Sequence, residues 1–210
     1  MLKVKVTKQS IKEHLGYSAW IYILFVILVF AGWDVAYIAS QYVPPAEKTV
    51  KTVIAGTYVI DSITTRMAEE GQAALSDMEL IQVVSVGLTG EYEAEGYEKL
   101  SVMAMAGDGD VYIMRKDVFN TYAKEGMFAP LDEQLQTRFG FVTEDEIKSA
   151  TFENTKTYEY HTYGIPMARF TKFAQDGVEY YDWIVGVTVF SQNPEGALRM
   201  IEHLAQTYMP

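Results

Sequence analysis

The rhythm of hydrophobic and polar positions changes once along this chain, near residue 40. Before that point, residues 15–33 read LGYSAWIYILFVILVFAGW, 19 positions without a charge and apolar on every helical face. Beyond it, short apolar runs alternate with segments of helical period. KTVIAGTY (51–58) predicts a strand, and Asp61 a cap for a helix over 62–75. ELIQVVSVGL (79–88) predicts a second strand, GEYEAEG (90–96) a polar loop, and YEKLSVMAMAG (97–107) a helix closed by glycine. DVYIM (110–114) is a third strand, and Asp117 a cap for the helix VFNTYAKEG (118–126). MFAPLDEQL (127–135) predicts a turn into a short helix. Thr143 and Glu146 form a capping box for another. YHTYGIP (160–166) predicts one strand ended by Pro166. WIVGVTVF (183–190) is apolar on both faces, as a buried central strand of a parallel sheet is. Asn193 and Pro194 start a last helix whose stripe is Ala197, Leu198, Ile201, Leu204 and Ala205. The predicted class is α/β: an apolar N-terminal helix, then a mostly parallel sheet flanked by helices.

The first apolar run has the length of one bilayer crossing. Trp20 and Tyr22 stand near one end, Trp33 and Tyr37 near the other, as interfacial aromatics do. Lys3, Lys5, Lys8 and Lys12 precede it, which keeps that end cytoplasmic and exports the rest. The expected layout is a basic cytoplasmic tail over 1–14, a single-pass span anchored in the lipid bilayer over 15–40, a linker over 41–49 stiffened by Pro44 and Pro45, and an extracytoplasmic domain over 50–210. Two alternatives stay open. A cleaved signal peptide has a shorter apolar core and a better cleavage site than VAYIASQY offers; a buried core helix is less apolar all round.

Net charge is −11 over 210 residues. Residues 1–44 hold four Lys against Glu13 and Asp34, so the remainder carries −13. This acidic balance argues against nucleic acid as a partner, since phosphate binding needs a cationic surface. The absence of Cys removes disulfides, thiol catalysis and Cys-based zinc sites.

The one stretch that invites a chemical reading is GDGDVYIMRKDVF (107–119). As a calcium loop it fails after Asp110, since Ile113 and Phe119 stand where glycine and glutamate are needed. As a dinucleotide loop it has Tyr112 at the third glycine position, and its glycines precede the strand. His14, His161 and His203 are scattered, and Glu91, Glu93 and Glu95 read as a solvated face. The tyrosines of TYEYHTYG (157–164) are either a binding surface or ordinary strand residues. No paired nucleophile and base and no metal cluster is present, so neither an enzyme nor a cofactor is expected.

Three segments carry a resemblance. Residues 98–133 (EKLSVMAMAGDGDVYIMRKDVFNTYAKEGMFAPLDE), 163–166 (YGIP) and 180–206 (YYDWIVGVTVFSQNPEGALRMIEHLAQ) resemble, in order and spacing, extracellular solute-binding proteins of ABC importers, the class that includes maltose-binding protein. The resemblance implies one lobe of a periplasmic-binding-protein fold. Between YGIP and YYDW that family inserts a second lobe; here about fourteen residues intervene, room for a loop or one short element. Two functions follow. One is a membrane-anchored binding module for a small-molecule ligand, accessory to ABC-type uptake, with Thr57, Tyr58, Arg115 and Lys116 at the strand ends where open α/β sheets place ligands. The other is an interaction module whose cleft-side face docks a permease, a solute-binding protein or another copy of itself. Arg115 has a competing role as a surface partner of Asp117.

Overall fold

The computed structural model describes residues 8–210, with side chains for all but 8–15 and 17. The part of the expected basic tail that includes Lys3 and Lys5 lies outside the described residues. The chain divides into two compact units, the second of them Pro44–Pro210.

In the first unit, helix α1 runs over Lys8–Ser40. Its stretch Ser18–Ser40 is long and apolar enough to cross a membrane, and none of it is buried. Proline at 44 and 45 stops the helical path.

The second unit opens with a 3-10 turn, Ala46–Lys48, and continues as β1 (Thr49–Gly56), α2 (Asp61–Ala74), β2 (Leu80–Gly87), α3 (Glu93–Ala106), β3 (Val111–Arg115) and α4 (Lys116–Lys124). There follow α5 (Asp132–Thr137), α6 (Glu144–Ser149), the hairpin β4 (Thr151–Glu153) and β5 (Tyr160–Thr162), β6 (Ile165–Pro166), β7 (Trp183–Val187) and α7 (Pro194–Tyr208). The main sheet has the order β2-β1-β3-β7-β6.

Alternate residues of each strand face opposite helical layers. Val111, Ile113, Val185 and Val187 pack with Met67 of α2 and Ile201 of α7. Tyr112, Met114 and Ile184 pack with Leu100 of α3 and Phe119 of α4. These two cores, one on each side, are what an α/β sheet requires.

Four expectations need correction. β1, β2 and β3 are parallel, but β7 is antiparallel to both β3 and β6. The sheet is therefore mixed. A parallel return needs a crossover element. The connection from β6 to β7 instead folds into a 3-10 turn, Thr171–Asp176, whose Phe173 stacks on Tyr208 at 4.0 Å. It stays at one end of the sheet, so β7 must run back. Burial on both faces reflects β7's central position and is indifferent to direction.

The expected strand 160–166 is two strands, β5 beside β4 and β6 beside β7. The polar segment 90–96 is not a loop: a 3-10 turn, Gly90–Tyr92, leads into α3, whose first turn holds Glu93 and Glu95. Carboxylates there face the positive end of the helix, so acid-rich composition serves a helix start. Asp61 and Asp117 are not caps. Ile60 and Arg115 hold the cap positions and neither acid makes a capping hydrogen bond.

The other caps stand as expected. Thr143 and Glu146 form the reciprocal box, and Asn193 accepts from the Gly196 N–H with Pro194 next to it. Gly107 closes α3 at φ 65°, a left-handed conformation that glycine adopts without strain.

Candidate functional site

The C-terminal ends of β1, β2, β3 and β6 and the start of β7 make one edge of the sheet. Its centre is closed by an indole. Trp183 is buried and lies across Gly56, where an added Cβ would fall 2.1 Å from the indole Cη2. Only glycine at the end of β1 admits that ring.

Beside Trp183 is a groove of about 760 Å³, lined by Arg115, Asp117, Gly177, Tyr180, Tyr181 and Asp182 among others. Arg115 Nε and Nη2 donate to the two carboxylate oxygens of Asp117 at 3.1 and 2.8 Å. This forked bond holds the Asp117 carboxyl below its usual range and raises Arg115. The guanidinium thus already has a carboxylate partner. The Lys116 backbone N–H donates to the Asp182 carbonyl at 2.8 Å, which ties the start of α4 to the entrance of β7.

Thr57 and Tyr58 stand on the same edge but on its far side, between β1 and β2. Thr57 is half-buried. Tyr58 is 59% exposed, rests against Gly87 and reaches Asp61 at 3.4 Å. The structure therefore brings Arg115 to the groove and leaves Thr57 and Tyr58 on its flank. Tyr92 and Tyr181 are also exposed on this edge, Tyr181 at 81%. The residues 180–183, YYDW, were missed as site residues. Their signal was an aromatic pair beside an acid immediately before a strand.

At the opposite edge the two Gly-Asp pairs are a joint. Asp108 accepts from Lys51 Nζ at 2.7 and 2.8 Å. Asp110 accepts from the Lys51 N–H at 2.8 Å and from Ser191 Oγ at 2.6 Å, which binds the starts of β1 and β3 to the loop after β7. Elsewhere, His161 Nδ1 meets Asp132 Oδ2 at 2.8 Å; that bond raises the imidazole pKa. Half-burial lowers that of His203. No cluster of three or more His, Asp or Glu is placed to hold a metal ion among the described residues.

No protein-family model and no curated protein matches the chain. Solved structures do. An extracellular solute-binding protein of family 1 from Alicyclobacillus acidocaldarius is 20% identical, with a TM-score of 0.45 over 64% of this chain. An ABC substrate-binding protein from Listeria monocytogenes, solved with cycloalternan, is 17% identical, with a TM-score of 0.42 over 63%. A de novo designed cysteine esterase is 15% identical, with a TM-score of 0.43 over 59% of this chain and 28% of its own. The chain spans about a third, 34%, of each of the two binding proteins.

Proposed function

We propose that this is a membrane-anchored, extracytoplasmic binding module, accessory to ABC-type solute uptake, whose working face is the edge at the strand C-termini. The observation that carries the reading is the exposure of Tyr181 in the groove beside Trp183, with the exposed Tyr58 and Tyr92 on the same edge outside that groove. Aromatic rings held on strand ends give a ligand large contact area at little cost in side-chain freedom. The segment resemblance to solute-binding proteins agrees with this place for the site. Thr57, Tyr58, Arg115 and Lys116 are its proposed contacts. Because Arg115 is bound by Asp117, it acts on a ligand as part of a neutral pair. That favours a polar, uncharged or zwitterionic solute over an anion.

Isothermal titration of the full chain in detergent micelles with oligosaccharides, short peptides and amino acids tests the reading. Heat with a saturable midpoint for one of these classes is expected. No heat and no thermal shift with any of them would remove solute binding. The second reading, docking of a permease or a solute-binding protein on the same edge, would then stand. It is favoured by the exposure of Tyr181, which nothing in this domain covers.

A further inference from the structure

The groove between α3 and α4 carries an apolar surface that the domain itself leaves open. Met103 and Ala104 of α3 face the core, whereas Val102 and Met105 point outward, Met105 at 81% exposure. Past the end of β7, Val189 and Phe190 are half exposed. Phe190 lies against Gly107 and shares with Met105 a groove of about 720 Å³. Exposed apolar side chains gathered in one place mark a surface that is covered in use.

The charges of the groove select the cover. Asp117, Glu125 and Lys156 line it. Asp117 is held by Arg115 through the forked bond. Glu125 and Lys156 make no ion pair among the described residues. Both have fixed places. Glu125 is the C-cap of α4. The Thr155 N–H and Oγ1 donate to the Lys124 carbonyl at 2.9 and 2.8 Å, which ties the loop bearing Lys156 to that helix end. One unpaired acid and one unpaired base in the same apolar groove are complementary to a second copy of themselves. Under a two-fold axis through the groove, Glu125 of each copy meets Lys156 of the other, and the apolar side chains meet their own counterparts. The rest of this face does not oppose such a pair. The exposed Glu98, Lys99 and Lys124 beside the groove carry both signs, whereas residues 45–210 together, at −13, repel a like domain.

We infer that two copies of this chain associate through the groove between α3 and α4, with Glu125 of each against Lys156 of the other and Met105 and Phe190 at the centre. Apolar contact holds the pair, and the charges set its register. Of the lining residues only Asp117 borders both this groove and the one beside Trp183, so this inference and the solute-binding reading stand or fall separately.

Because the chain has no Cys, one introduced cysteine reports one position. Full-length M105C in phosphatidylcholine vesicles, treated with a short bismaleimide, is expected to link copies about fivefold faster than Y181C or more, since a docked pair holds its thiols at high effective concentration. E125K and K156E, each added to M105C, set like charges opposite one another and are expected to slow the linking about fivefold or more. The double reversal is expected to restore it, and so is mixing the two single-reversal chains, which pair only with each other. The substituted side chains are all exposed, so the core is left intact. Equal linking at 105 and 181, or linking at 105 that neither charge reversal slows, would overturn the inference. So would an unlinked position 105, whether lipid shields it from a water-soluble maleimide or it stays open for a different protein.

Discussion

At the scale of single residues, the edge at the strand C-termini depends on Gly56. The Trp183 ring occupies the volume that any β-carbon there would need. Gly56→Ala is expected to cost about 1–3 kcal/mol, the usual range for overpacking a closed core. Denaturant unfolding checks it through a lower midpoint at unchanged slope, and W183L is expected to relieve most of the loss. His161 gives a second residue-level prediction. Its pKa is raised, first by its hydrogen bond to Asp132; burial, the next largest effect, opposes this, and the Asp132 charge and Glu159 add to the rise. A raised folded-state value stabilises the fold fully below the unfolded pKa of about 6.5, and this contribution fades as pH rises through the folded value. An NMR titration is expected to place His161 above about 6.5, and D132N to bring it down toward that value.

At the scale of elements, Asn193 joins α7 to the sheet. Its Oδ1 accepts from Gly196 N–H at 2.9 Å, and its Nδ2 donates to the Thr49 carbonyl at 3.2 Å. Asn193→Ala removes a cap and leaves a carbonyl at the start of β1 without that donor, so a loss of about 1–2 kcal/mol is expected. Thr143→Ala, on an exposed residue whose box partner Glu146 keeps its ion pair with Arg169, is expected to lose about 0.5–1 kcal/mol; thermal unfolding of the pair ranks them. These two caps were legible in the sequence because cap chemistry is local. So were the strands β1, β2 and β3 and the stripe of α7, whose burial follows from periodicity. The direction of β7 was not legible, since a central strand looks the same run either way. Nor was the break between β5 and β6, which depends on what each half pairs with. Asp61 and Asp117 misled for a related reason: an acid near a helix start serves the dipole, an ion pair or a cap alike, and only the fold chooses.

At the scale of the whole molecule, the acidic pairs of GDGD hold the start of the sheet together, and the candidate site lies at the other end. Arg115 and Tyr58 could be placed there from strand order alone. Their separation, and the intervening role of Trp183 and Tyr181, came from the antiparallel β7 that brings residues 180–183 to the same edge. That edge is the proposed binding surface. It is tested most directly by repeating the calorimetric titration with Tyr58→Ala and Tyr181→Ala, each first shown to unfold at the parent temperature. For a solute bound by the parent chain, Tyr181→Ala, in the groove, is expected to lose about tenfold in affinity or more, as central aromatic contacts do, and Tyr58→Ala, on its flank, a smaller factor. Full affinity in both folded variants would place the ligand elsewhere and contradict the account.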